Sequence, residues 1–422
     1  MNSVVYGVNV LLLGAFAFLL WRRSNVVLQN FFWPALAIKL IAGISLGLIY
    51  TYYYTANDTF LFFNDAKILA VSARTDGYTY LRFLWGGDED SPLWNQLRTV
   101  EPRSLFFVKT LSFISLISND NYWIASLWFS FLSFLGCWYL FVRLNDFFKN
   151  AVWPAALSLF FFPSFVFWGS GIIKESITAA ALCFIIGVFL LCIHKRKPTL
   201  AEWFLVMASF YAMWNLKYYW AAILIPTLAT SLIMKYVVEK IIKLKSKIAE
   251  VAIWLLLFST LCLGVSFVHP NFYLERLLPV ITENHNIFVR ISAPQGVIHF
   301  YQLEPNWYSM LLNAPWALFS GLFRPFVFES NSLLQLIVSI ENAILLVFFV
   351  FSISKVQRIT DSSFRLVIYS AIVYVVLLCI FLALSTPNFG TLSRYRIGFL
   401  PVFCFLLFYE NPLWTRWPFG RK

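Results

Sequence analysis

Apolar residues in this chain are gathered into long uninterrupted runs, and most polar residues fall in the gaps between them. A bilayer core of about 30 Å is crossed by roughly 20 helical residues. Runs of that length predict an all-α, polytopic transmembrane bundle of about 11 spans. They fall near 5–21, 32–54, 122–142, 152–168, 171–193, 201–216, 218–234, 249–268, 331–353, 366–385 and 397–411. Two further stretches, 104–118 and 307–323, approach spanning length. The first has Lys109 at its middle and the second is interrupted by Asn313 and Pro315, so both read as interfacial or re-entrant helices. No internal repeat, low-complexity tract or soluble stretch is visible, and residues 1–422 read as a single integral membrane domain.

Charge gives the threading a direction. The first run has no basic residue before it and is followed at once by Arg22 and Arg23, the reverse of a cleavable signal peptide. That order predicts an N-terminus outside and a C-terminus in the cytoplasm. Threaded so, 18 of the 32 Lys and Arg residues fall inside, in short clusters such as Lys195–Lys197 and Lys235–Lys247. The inner face then carries the whole net charge of +12, as the positive-inside rule favours. The same clustering explains the basic balance without nucleic acid. An apolar share of 60% with only 12% charged residues excludes a soluble domain. The six cysteines all lie within apolar runs and indicate neither a disulfide framework nor a thiolate zinc site. No P-loop or Gly-rich dinucleotide motif is present, which argues against a nucleotide-driven pump.

Two long outer segments result, at about 55–121 and 269–330, with short outer turns at 169–175 and 386–396. The first is the most acidic part of the chain. Asp58 directly follows a span and Asp65 lies seven residues on, so a continuing helix would place both carboxylates on one face. A carboxylate there can take a proton from a sugar hydroxyl or hold a divalent metal; a solvated or helix-capping acid is the plain alternative. The Asp88–Asp90 cluster is a weaker candidate. In the turn Phe167-Trp-Gly-Ser-Gly-Ile-Ile-Lys174-Glu175, glycines permit close backbone approach and Lys174 can neutralise a phosphate; an interfacial Lys174–Glu175 pair is the alternative. Arg324, Arg394 and Arg396 stand at the outer ends of apolar segments, where guanidinium groups can grip phosphate or simply reach lipid headgroups. His269, His285 and His299 match no compact metal motif. Glu341 and Asn342 sit midway along an apolar span and suggest an interhelical hydrogen bond, with a proton relay as the alternative, whereas Lys39 reads as a snorkelling residue.

Taken in order, Asp58, the Pro163-Ser-x-x-x-Trp-Gly-Ser-Gly-x-x-Lys-Glu175 turn, Arg324-Pro-Phe and Gly390-Thr-Leu-x-Arg-Tyr-Arg396 resemble bacterial membrane proteins grouped with GT-C-type glycosyltransferases. The resemblance runs over about residues 50–400. It implies a multispan enzyme of the bacterial cytoplasmic membrane, taking sugar from a polyprenyl-phosphate carrier on the extracytoplasmic face for transfer to a glycan or lipid acceptor. By that resemblance Asp58 matches the general base best, with Asp65 second. Lys174, Glu175, Arg324, Arg394 and Arg396 would form the substrate site. Asn57 precedes Asp58 where the commonest signature has a second acid, which leaves divalent metal dependence open and commits to no cofactor. A polysaccharide polymerase or ligase, and a flippase for a lipid-linked saccharide, remain the competing functions.

Overall fold

The structure, a computed structural model, describes residues 2–54, 57–86, 89–242, 246–353 and 361–415. Asp88, Lys243, Lys245, Lys355, Arg358, Arg416, Arg421 and Lys422, which enter the readings above, lie outside the described residues. In chain order the helices are α1 (Asn2–Arg23), α2 (Val26–Tyr52), α3 (Asp58–Thr75), α4 (Gly77–Leu84), α5 (Pro102–Ser118), α6 (Tyr122–Phe147), α7 (Val152–Ala156), α8 (Pro163–Trp168), α9 (Lys174–Ile193) and α10 (Leu200–Ile233). They continue as α11 (Glu239–Ile241), α12 (Lys247–Val265), α13 (Leu274–Ile291), α14 (Trp307–Phe323), α15 (Leu333–Ile353), α16 (Ser362–Ser385), α17 (Phe389–Tyr395), α18 (Leu400–Phe408) and α19 (Pro412–Thr415). No strand occurs among the described residues, as the sequence pattern predicts; a single antiparallel bridge joins Val297 and Asn388.

Eight helical runs among the described residues are long and apolar enough to cross a membrane: α1, α2, α6, α9, the stretch Leu200–Ile241, α12, α15 and α16. The chain is therefore an all-helical, multi-pass membrane protein. The difference from about 11 spans has three physical sources. The predicted 152–168 span is broken, because α7 gives way to a π-turn at Leu157–Phe161 and Pro163 then starts α8. The predicted pair 201–216 and 218–234 is one continuous run with a kink, where Lys217 leaves helical geometry at φ −145° and ψ 61°. The last predicted span is half of a pair, Phe389–Gly398 and Leu400–Phe408, bent by 71°. The two doubtful stretches form α5 and α14, both 17-residue helices outside the group of eight.

The chain forms two compact units. The first comprises Met1–Val142, Leu159–Ile186 and Ala201–Tyr218. Its α3 and α5 lie side by side in the same direction, since Phe62 meets Phe107 and, three turns on, Arg74 pairs with Asp120. Pro102 opens α5 at a position that needs no N–H donor, and Asn119 closes it in the left-handed region at φ 51°. The helices α6 and α9 cross at backbone contact: a Cβ added to Gly136 would lie 2.5 Å from Ala180 Cα.

Lys39 departs from the snorkelling expectation. It stands 13 residues into α2, about 20 Å along the axis from Val26, too far for a lysine side chain to reach the helix end. Its side chain is instead fully buried, its Nζ donating to Ser133 Oγ at 3.0 Å and to the Gly169 carbonyl at 3.1 Å. Gly169 caps α8, so the ammonium satisfies a carbonyl left over at a helix C-terminus, where positive charge is favoured.

The second unit comprises Arg143–Ser158, Gly187–Leu200 and Tyr219–Lys422. There Gly321 of α14 approaches Cys379 of α16 so closely that a Cβ would sit 2.5 Å from its Sγ. Arg365 at the start of α16 pairs with Glu250 of α12. The amphipathic α13 docks on the end of α16, where His285 Nδ1 meets the Leu384 carbonyl at 2.9 Å.

Candidate functional site

A polar part of the first unit's interior is built around the turn between α8 and α9. Gly171 adopts φ 75°, a conformation that favours glycine, and its N–H donates to Ser130 Oγ at 3.0 Å. Gly171 packs on Gly43 of α2, nine residues before that helix ends at Tyr52. At 1.5 Å per residue the turn is recessed by roughly 14 Å from that end. The helix α9 thus begins inside the bundle, and its first two residues, Lys174 and Glu175, are carried into the interior.

Asp58 comes to the same place from another direction. It opens α3, and the next residue, Thr59, is fully buried and donates its hydroxyl to the Ile172 carbonyl at 2.8 Å, with the Tyr122 hydroxyl also at 2.8 Å. Phe62, one turn after Asp58 and on the same face of α3, lies under Lys174 Nζ at 4.9 Å from the ring centre. Lys174 Nζ also donates to Ser104 Oγ at 2.8 Å. Asp58 and Lys174 therefore flank one bonded pair of residues, Thr59 and Ile172, and share the Phe62 face.

Glu175 is fully buried, and Lys217 Nζ lies 2.9 Å from its Oε1. Lys217 is 4% exposed and is the residue at which α10 breaks. Removing either partner of an ion pair this deep strands a buried charge. Asp65 has a different place. It is 1% exposed, and its Oδ2 accepts hydrogen bonds from Arg98 N at 3.1 Å, Thr99 N at 2.8 Å and the Thr99 hydroxyl. Those bonds anchor the segment leading into α5.

The three arginines belong to the second unit. Arg324 is bidentate on Glu329, with the Trp316 and Phe389 rings at 5.4 and 5.1 Å. Burial alone would raise the Glu329 carboxyl, but the hydrogen bonds from Arg324 and from Phe326 N–H hold it below the usual range. Arg396 is 1% exposed; its Nη1 donates to Asn342 Oδ1 at 2.6 Å, and its Nη2 lies 3.9 Å from Glu341. Asn342 Nδ2 in turn donates to the Pro325 carbonyl at 3.0 Å, tying α15 to the Arg-Pro-Phe segment, so Asn342 bonds from α15 to the segments that follow α14 and α17. Arg394 is half-buried in the last turn of α17. The histidines serve local bonds: His269 accepts from Asn271 N and His299 meets the Pro294 carbonyl. Among the described residues no group of three or more His, Cys, Asp or Glu is placed to hold a metal ion.

Sequence reasoning missed Lys217, Ser104, Thr59 and Tyr122. For Lys217 a signal existed: a single residue cannot form the turn between two antiparallel spans, so a lysine flanked by apolar runs on both sides marks a broken helix. The three hydroxyl residues had no such signal, because their importance comes from pairings across the fold. No family model, curated protein or solved structure matches the chain.

Proposed function

We propose that the protein is a membrane glycosyltransferase, moving a sugar from a polyprenyl-phosphate-linked donor to a glycan or lipid acceptor in cell-surface glycan assembly. The observation that supports it best is the placement of a carboxylate, Asp58, and an ammonium, Lys174, at the first turns of two helices locked together by the Thr59–Ile172 bond. Asp58 takes the proton of an acceptor hydroxyl as that oxygen bonds to the anomeric carbon. The bond from that carbon to the carrier's phosphate oxygen breaks, and Lys174 stabilises the negative charge left on the phosphate. The Phe62 ring supplies an apolar wall.

In the same proposal the site opens to the extracytoplasmic face of a bacterial cytoplasmic membrane, with the N-terminus outside and the C-terminus inside. The charge distribution along the chain favours that sidedness. Arg324, Arg394 and Arg396 remain proposed carrier ligands on sequence grounds. Arg324 and Arg396 already hold protein partners.

Asp58→Asn tests the assignment, since it preserves shape and removes the base. Release of sugar from a polyprenyl carrier by the purified variant is expected to fall roughly 100-fold or more, with donor binding little changed. Unimpaired turnover would exclude Asp58 as the base. One feature favours a second reading: a transmembrane helix broken at a buried charge, as in α10, is common in transporters. Translocation of lipid-linked donor across a proteoliposome membrane without sugar transfer would select the flippase.

A further inference from the structure

Arg103 is the second residue of α5 and is exposed. Its neighbour Ser104 is buried and holds Lys174 Nζ at 2.8 Å, so the Arg103 backbone is fixed within one residue of that contact. The Arg103 guanidinium lies on the Tyr218 ring, with Cζ 5.6 Å from its centre, and it makes no hydrogen bond to any described residue. A cation–π contact leaves guanidinium N–H groups available, and such groups grip an oxyanion through two parallel bonds. Tyr218 is itself fixed by its neighbour Lys217, which is locked to Glu175. Glu101 is exposed and lies 3.4 Å from Ser104 Oγ.

We propose that Arg103 and Lys174, bracketing Ser104, form a two-cation site for the phosphate of a lipid-linked substrate, with Lys217 positioning it through Glu175. This deepens the glycosyltransferase reading and rests on it for the identity of the lipid. Arg103 takes two non-bridging oxygens through its fork, and Lys174, held by Ser104, takes the oxygen that leaves the sugar. A lone interfacial arginine would anchor to any headgroup; in this proposal Arg103 acts with a second, half-buried cation to select a phosphate with a free edge.

The test is binding of a short-chain polyprenyl phosphate to the purified full chain in nanodiscs of neutral lipid. The proteins compared are wild type, Arg103→Gln, Arg103→Lys and, as a control, Arg98→Gln, an exposed arginine of the same segment. Arg103→Gln should weaken binding tenfold or more, Arg98→Gln less than twofold, and Arg103→Lys should fall between, keeping charge without the fork. Glu175→Gln combined with Lys217→Gln tests positioning: it should shift the dissociation constant less than Lys217→Gln alone. Equal binding by wild type and Arg103→Gln overturns the site. So does wild-type affinity in Arg103→Lys, which decides the matter if the Gln variant fails to fold, and so does equal competition by phosphatidylglycerol, which reduces Arg103 to a headgroup anchor. Since no step requires transfer, loss of binding in Arg103→Gln with sugar transfer intact in Asp58→Asn would sink the base assignment and leave this site standing. The opposite pattern would sink this site alone.

Discussion

Replacing Lys217 by methionine removes the counter-charge of a carboxylate that has no surface of its own. Glu175 is fully buried and Lys217 Nζ lies 2.9 Å away, so the variant must either strand the charge or protonate it. Breaking a buried pair by removing one partner costs about 3–5 kcal/mol. Taking up a proton at pH 7 costs an ordinary glutamate roughly 3–4 kcal/mol. The two escapes agree, and a loss of about 3–4 kcal/mol is the expected result. Adding Glu175→Gln removes the stranded charge, and the double variant should recover at least about 2 kcal/mol, because neutral replacements of a buried pair are often close to isoenergetic. The measurement is reversible unfolding in mixed micelles with increasing denaturing detergent for wild type, both single variants and the double variant. Additive losses, with a coupling under about 0.5 kcal/mol, would refute the idea that this pair holds the interior of the first unit together.

Two other outcomes follow from particular contacts. Burial depresses the His285 imidazole below its ordinary value of 6.5, against the opposing bond to the Leu384 carbonyl and with a small further push from His299. The folded state therefore holds the neutral ring while the unfolded chain protonates first, so stability is complete above about pH 6.5 and falls as the pH drops below it. A pH series of melting temperatures should show that loss shrink in His285→Asn; an unchanged profile would place it elsewhere. Cysteines introduced at Asp90 and Lys149 should be labelled by an impermeant reagent in intact cells at the first position and not at the second. The reverse pattern would invert the proposed sidedness.

The helical class and the multi-pass character were legible because hydrophobic run length is a local property, written directly in the sequence. What defeated the count was departure from regular helix: Pro163 after a π-turn, Lys217 at a kink, and a 71° bend before Leu400. Asp58 and Lys174 were legible as charges at the margins of apolar runs. The joining of their helix starts was not, since it depends on Gly171 meeting Gly43 and on Thr59 reaching Ile172, pairings separated by more than 100 residues. Helix does continue from Asp58 through Asp65, the condition under which their seven-residue spacing puts both on one face, yet the bonds from Arg98 and Thr99 to Asp65 depend on where a loop returns. Lys39 shows the same limit from the opposite side: sequence gives its distance from a helix end but not the carbonyl waiting beside it.

The Glu175–Lys217 pair also has a consequence in time. Its partners are 42 positions apart, so as the chain emerges from the ribosome Glu175 enters the membrane before its counter-charge has been made. At elongation rates of about 5–20 residues per second, that interval lasts roughly 2–8 seconds. During it the start of α9 is an unfavourable occupant of lipid, and it must wait in water or against a translocation or insertion machine. The first unit is itself assembled from three separate stretches of chain, and only the last of them brings Lys217. Synthesis of the first half of α10 is thus the moment at which α9 can settle, and a ribosome stalled before Lys217 would leave a chain that no amount of waiting could close.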